Sequence, residues 1–236
     1  MSVSLSEIFV NCRKIESTDV MKNKYIMNAY KRSLGNYRII NSGIIIKNRW
    51  RANKEIPKHI IEFINEEGEV LVIANILLKQ VTQLQFRAIT YKKFYALGKQ
   101  SSIPYGMGYM DKNFKFGDWL LIVEGSSDRD ALSGIYPNII AVMTSGLTSI
   151  QRELIRNLTN KVILLYDNDD TGRRGFYRDR KKLKSEGYAV EEIPYNSKDV
   201  GDPGDILNYK YLGKYFEAEQ LELYFKSWID NITGRG

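Results

Sequence analysis

From residue 119 onward, apolar and polar positions fall into blocks of strand and helix length. Trp119 to Glu124 reads as a strand, Ser127 to Gly134 as a short helix, Asn138 to Met143 as a strand and Ser149 to Asn157 as a helix. Lys161 to Asp167 is the next strand, Arg173 to Ser185 a basic helix closed by Gly187, and Ala189 to Ile193 a fourth strand. The strands are short, continuous apolar runs, as expected where both faces are covered. Their alternation with helices predicts a parallel sheet flanked by helices. After Pro194 comes a loop rich in turn residues, Asn196 to Asp205, and then a helical tail from about Gly213 to Ile232.

The first half has a mixed pattern. Ser4 to Val10 and Asp19 to Ser33 read as helices, with Asp19 placed as an N-cap, while Tyr37 to Ile46 and Glu69 to Leu78 read as strands. Gly98 to Gly117 carries several glycines and Pro104, the composition of a connecting loop. The expected organisation is a basic α+β subdomain over 1–117, an α/β domain over 118–210 and a helical tail over 211–236.

Composition adds exclusions. The chain has 236 residues, 43% of them apolar, enough to fill a core. It has no apolar stretch long enough to span a bilayer, and its N-terminus lacks the pattern of a secretory signal, so a cytoplasmic location and no membrane partner are expected. A single cysteine, Cys12, and a single histidine, His59, exclude an internal disulfide and a Cys- or His-based zinc site. Any metal would be held by carboxylates. The net charge of +7 is unevenly spread: residues 1–118 carry 19 Lys and Arg against 10 Asp and Glu, whereas residues 119–236 carry 16 against 18. A basic half beside an acidic-rimmed half suits a polyanionic substrate; a generally basic solvated surface would look the same.

The candidate chemistry sits where apolar runs end in acid. Glu124 follows Leu120-Leu121-Ile122-Val123, and Asp167-Asn168-Asp169 follows Val162 to Tyr166. In open α/β sheets ligands bind at the C-terminal ends of strands, so these carboxylates share one rim. Gathered there they repel unless a cation neutralises them, and hard oxygen ligands suit magnesium, with manganese able to substitute. Turn chemistry alone also favours Asp and Asn after a strand, and Asp128 also reads as a cap in the first turn of the following helix. Beyond the acidic turn, Arg173, Arg174, Arg178, Arg180, Lys181, Lys182 and Lys184 form either a solvated helix face or a phosphate track. Upstream, Gln85-Phe86-Arg87 and Tyr91-Lys92-Lys93-Phe94-Tyr95 interleave cations with aromatics, which suits nucleic-acid contact or simple strand alternation.

These residues resemble a Toprim domain, the metal-binding module shared by bacterial-type primases, type IA and type II topoisomerases and some nucleases. Glu124-Gly125-Ser126-Ser127-Asp128 resembles its glutamate motif and Asp167-Asn168-Asp169 its paired-aspartate motif. Tyr166 to Arg173, the small-residue stretch Val142 to Leu147 and the closing Gly201-Asp202-Pro203-Gly204-Asp205-Ile206-Leu207 resemble the primase form in particular. Upstream, Phe86-Arg87 through Lys93-Phe94 and then Tyr105-Gly106 are similar to the basic region and junction that precede Toprim in these primases. The likeness runs from about residue 70 to 210.

The resemblance implies that Glu124, Asp167 and Asp169 bind the divalent metals and carry catalysis. Asp128 and Asp205 match weaker metal-site positions. Arg87, Lys92, Lys93, Arg173 and Arg174 would hold template or nascent strand. The implied activity is RNA primer synthesis on single-stranded DNA from ribonucleoside triphosphates, with a Toprim nuclease or a non-enzymatic nucleic-acid-binding replication factor as alternatives. The family's zinc ribbon has no counterpart cysteines here, and little sequence follows the Asp-Pro segment. A minimal catalytic core is therefore expected, either a compact phage-like or mobile-element primase or a separately encoded fragment, with a replicative helicase or a separate template-recognition protein as partner.

Overall fold

In a computed structural model, described over residues 4–22, 26, 42–46, 58–78, 80–89, 94–98, 102–195 and 200–235, the chain divides into two compact units, residues 1–99 and 100–236. The first unit is built on an antiparallel sheet in the order β1 (Ser42–Ile46), β2 (Glu69–Leu77), β3 (Gln80–Arg87), β4 (Phe94–Gly98). Helix α1 (Leu5–Val10) packs on β3, and its start is fixed by a capping box in which Ser4 and Glu7 exchange side-chain and backbone hydrogen bonds. Asp19 lies in a 3₁₀ turn, Ser17–Lys22, rather than at the cap of an α-helix. It is drawn into ion pairs with Arg13 and Lys22 instead. Apart from Ile26, which is helical and buried, the remainder of the expected helix to Ser33, and residues 37–41 of the expected first strand, lie outside the described residues. A short helix α2 (Lys58–Ile61) precedes β2.

The second unit is the expected α/β sheet. Its four strands are all parallel, in the order β6 (Ile139–Ala141), β5 (Trp119–Val123), β7 (Lys161–Leu165), β8 (Ala189–Glu192). The central strands β5 and β7 are buried along almost their whole length, and Leu120, Ile122, Val162 and Leu164 form the heart of the core with Ile155, Phe176 and Leu183 from the helices. Each fully buried side chain of this kind contributes about 1.5–3 kcal/mol. Helices α3 (Ser126–Leu132), α4 (Ser149–Arg156) and α5 (Asp170–Ser185) are the crossovers between strands. Residues 100–117 group with this unit because Tyr105 bridges to Ala141 and Met107, Met110 and Phe114 pack on its core.

The stretch between the turn-rich segment and the expected tail is itself helical. A separate helix, α6 (Asp205–Tyr211), precedes the tail helix α7 (Tyr215–Thr233), and the two pack together. Gly213, with φ +75°, makes the break. No helix among the described residues is long and apolar enough to cross a membrane.

Candidate active site

Parallel pairing of β5 with β7 puts Val123 opposite Leu165, so both strands finish level and deliver their following residues to one rim. Glu124 is half-buried there, and its Oε1 accepts a hydrogen bond from the Asp167 backbone N–H at 3.2 Å. Burial, and after it the charges of Asp169 and Asp179, raise the Glu124 carboxyl above the ordinary carboxylate range, opposed by that backbone hydrogen bond. Asp169 caps α5, its Oδ1 accepting from Gly172 N at 2.7 Å. The helix therefore starts at Asp170, three residues earlier than its basic run alone suggested. Gly172 is where the two motifs touch: a methyl group built on it would lie 2.1 Å from the Asp167 carbonyl oxygen and 2.8 Å from Glu124 Oε1.

Asp128 is buried beneath the rim. Its two oxygens accept from Gly125 N (2.8 Å) and Gly204 N (3.1 Å), tying the glutamate loop to the Asp-Pro turn. Burial chiefly, and then the neighbouring Asp202 and Asp167, raise its carboxyl well above the ordinary range. Asp202 is thus a further acid at this rim, unmarked by sequence reasoning, which had singled out Asp205 from the same segment. Asp205 closes a turn, accepting from Gly201 N at 2.8 Å. Tyr195 reports the same convergence. Its hydroxyl donates to Tyr166 O (2.8 Å) and is pushed up first by burial and then by the charges of Asp128, Asp167, Asp202 and Glu124.

A second buried acid locks the neighbouring loop. Asp179, on α5, accepts from Leu147 N (2.7 Å), the Tyr166 hydroxyl (2.8 Å) and Arg178 Nε (3.1 Å), while Arg178 reaches Ser145 O at 2.8 Å. The loop it holds includes Met143, whose φ of +61° is rare for a residue with a side chain and ends β6 two residues early. Met143 N in turn donates to Glu124 O at 2.9 Å. An aspartate amid seven basic residues reads in sequence as surface charge, which concealed this role.

Of the basic residues, Arg173 and Arg174 are exposed on the first turns of α5, the former paired with Asp170 at 2.7 Å. Arg87 lies almost buried in β3, its Nε donating to Gln85 Oε1 at 2.9 Å. Lys92 and Lys93 lie outside the described residues.

Among the described residues, no three of His, Cys, Asp and Glu are drawn together tightly enough to form a coordination sphere. The donor set nevertheless fits a hard divalent cation. Every candidate ligand is a carboxylate, and the bare Cα of Gly172 keeps Glu124 and the Asp167 backbone in contact.

Residues 121–207 match the Toprim-like family. Over 172 residues the chain is 27% identical to a DNA primase of Clostridium acetobutylicum, covering 72% of this chain and 28% of that protein. Over 125 residues it is 30% identical to a DNA primase of Aquifex aeolicus, covering 52% and 23%. The chain thus spans under a third of the length of these relatives. Among solved structures, the zinc-binding and RNA polymerase domains of the Aquifex aeolicus primase match at 25% identity with a TM-score of 0.52, over 67% of this chain and 40% of that one. The Escherichia coli primase catalytic core shares the fold at 19% identity, with a TM-score of 0.56 over 78% and 68%.

Proposed function

We propose that this chain, whose residues 121–207 form a Toprim-like domain and whose fold is that of primase catalytic cores, synthesises short RNA primers on single-stranded DNA from ribonucleoside triphosphates. The observation that carries the reading is the acid rim: Glu124 accepts from the Asp167 backbone at the ends of adjacent parallel strands, and its carboxyl is raised by burial and by the charges of Asp169 and Asp179. A pure binding module gains nothing from acids gathered where a polyanion docks.

In the proposed reaction a 3′-oxygen bonds to the α-phosphorus of the incoming triphosphate, and the bond from that phosphorus to pyrophosphate breaks. Glu124, Asp167, Asp169 and Asp202 would hold magnesium or manganese, which when bound lowers the pKa of the attacking hydroxyl and stabilises the leaving group. Asp128 keeps the glutamate loop and the Asp-Pro turn in register through its two backbone hydrogen bonds. Asp179 fixes the 143–147 loop against α5, and with it the backbone behind Glu124. Arg173 and Arg174 offer exposed charge to substrate phosphates, and the largely buried Arg87, with Lys92 and Lys93, would contact the template. Asp205 shapes the Asp-Pro turn. A helicase or a separate template-recognition protein would supply the site selection for which this chain has no zinc-ligand set.

Incubation of purified protein with single-stranded DNA, magnesium or manganese and labelled ribonucleotides tests the reading. Oligoribonucleotide products are expected. Shortened DNA or RNA with no synthesis would instead identify a Toprim nuclease.

A further inference from the structure

The Asp-Pro segment brings Asp202 to the rim, where its charge helps to raise the buried Asp128 carboxyl, yet the segment belongs to no strand of the sheet. Hydrogen bonds hold it there instead, and two of them come from Asn168, the residue between the paired aspartates. The Asn168 backbone N–H donates to Gly201 O at 2.7 Å, and its Nδ2 donates to Val200 O at 3.0 Å. From the other side, Arg173 Nη1 donates to Asn168 O at 3.0 Å and to Asn168 Oδ1 at 3.3 Å. A carbonyl facing Nδ2 and a guanidinium facing Oδ1 fix the amide in one orientation. Aspartate in this place could accept from the arginine but could not donate to Val200, and alanine or glycine could do neither. The sequence pattern marks position 168 only as the spacer between two acids; the structure gives it a task.

We infer that Asn168 is a positioning residue, which ties the Asp-Pro turn to the end of β7 and so sets the place of Asp202 among the rim acids. Its two bonds attach to the backbone of the two residues directly before Asp202. On the other side of Asp202, Gly204 N donates to Asp128 Oδ1 at 3.1 Å. Asp202 therefore lies between two tethers, one to the aspartate motif and one to the glutamate motif. Release of the Asn168 bonds frees one side of the turn, and a carboxylate that drifts from the rim no longer shares a cation with its neighbours. The inference rests on the reading of the rim as a metal site, and not on the reaction being primer synthesis.

A double-mutant cycle on the full chain tests it, with manganese affinity read from the electron paramagnetic resonance of the free ion, in the absence of DNA and nucleotide. Asn168→Ala should weaken manganese binding about 10–100-fold, the effect of losing an outer partner. Asp202→Ala should weaken it at least as much, and the double variant no further than Asp202→Ala alone, because Asn168 acts through that carboxylate. If Asn168→Ala loses the wild-type circular dichroism spectrum, Asn168→Ser, a smaller change that still cannot make both side-chain bonds, takes its place in the cycle. Equal affinities in wild type and the Asn168 variant overturn the inference. So do additive losses, which would mark Asn168 as a general support of the fold, an Asp202→Ala variant that binds like the wild type, and a wild type that binds no manganese. A coupled loss in a protein that makes no RNA leaves the positioning role standing and removes the synthesis. RNA synthesis with unchanged manganese affinity in the Asn168 variant does the reverse.

Discussion

The molecule holds two clusters of acids, and they are treated in opposite ways. In the first unit Asp19 and Glu69 are met by Arg13 at 2.5 and 3.0 Å, and Lys22 reaches Glu69 at 2.6 Å. Both carboxyls are pulled below the ordinary range: Asp19 to about 2, chiefly by its hydrogen bond to Arg13, and Glu69 by Lys22 and Arg13 against the cost of burial. At the rim of the second unit, Glu124 and Asp128 are moved upward, and the groups that steady them are backbone N–H donors. One cluster is complete in itself and holds the fold. In the other the carboxyls stay raised by burial and by one another's charge, a setting that a divalent cation would relieve.

The sharpest way to break the contrast is at Gly172. Gly172→Ala forces a methyl group against the Asp167 carbonyl and Glu124, and primer synthesis should fall more than about a hundredfold, beyond what loss of an outer-shell partner costs. Circular dichroism should remain unchanged. Asp128→Ala removes such an outer partner, and a roughly 10–100-fold rise in the magnesium needed for half-maximal synthesis is expected. Arg13→Ala, by contrast, should leave the magnesium dependence alone and lower stability to urea by about 1.5–3 kcal/mol, the worth of hydrogen bonds to charged groups.

The smallest effect is a pH signature. Asp19 has a folded pKa of about 2, below its unfolded value near 3.9, so its contribution is fully present above the unfolded value and is lost as pH falls through the folded one. Acid unfolding of wild type and Asp19→Asn should therefore differ above about pH 4 and converge as the pH approaches 2.

What the sequence revealed follows the strength of each physical signal. The strands β5 and β7 were legible because continuous apolar runs have few other uses, and the acids that end them follow from the same pattern. Asp202 was hidden among residues that all favour turns, although its place directly before Pro203 separated it from Asp205. Asp179 was masked by its basic neighbours, and its role exists only because α5 packs on the 143–147 loop. Tyr195 lies in a loop whose backbone carries no periodic signal, so its place among four acids emerges only in three dimensions. In the first unit, Asp19 has the composition of a helix cap, and tertiary ion pairing overrode that local preference.

The role proposed for the rim acids is metal-dependent synthesis. Its most direct test compares wild type with the Asp167→Ala, Asp169→Ala double variant in ribonucleotide incorporation and single-stranded DNA binding, on the same preparations. RNA synthesis by the wild type, none by the variant, and DNA binding retained in both are expected. A wild type that makes no RNA, with a variant that binds DNA more tightly, would contradict it and identify a binding scaffold.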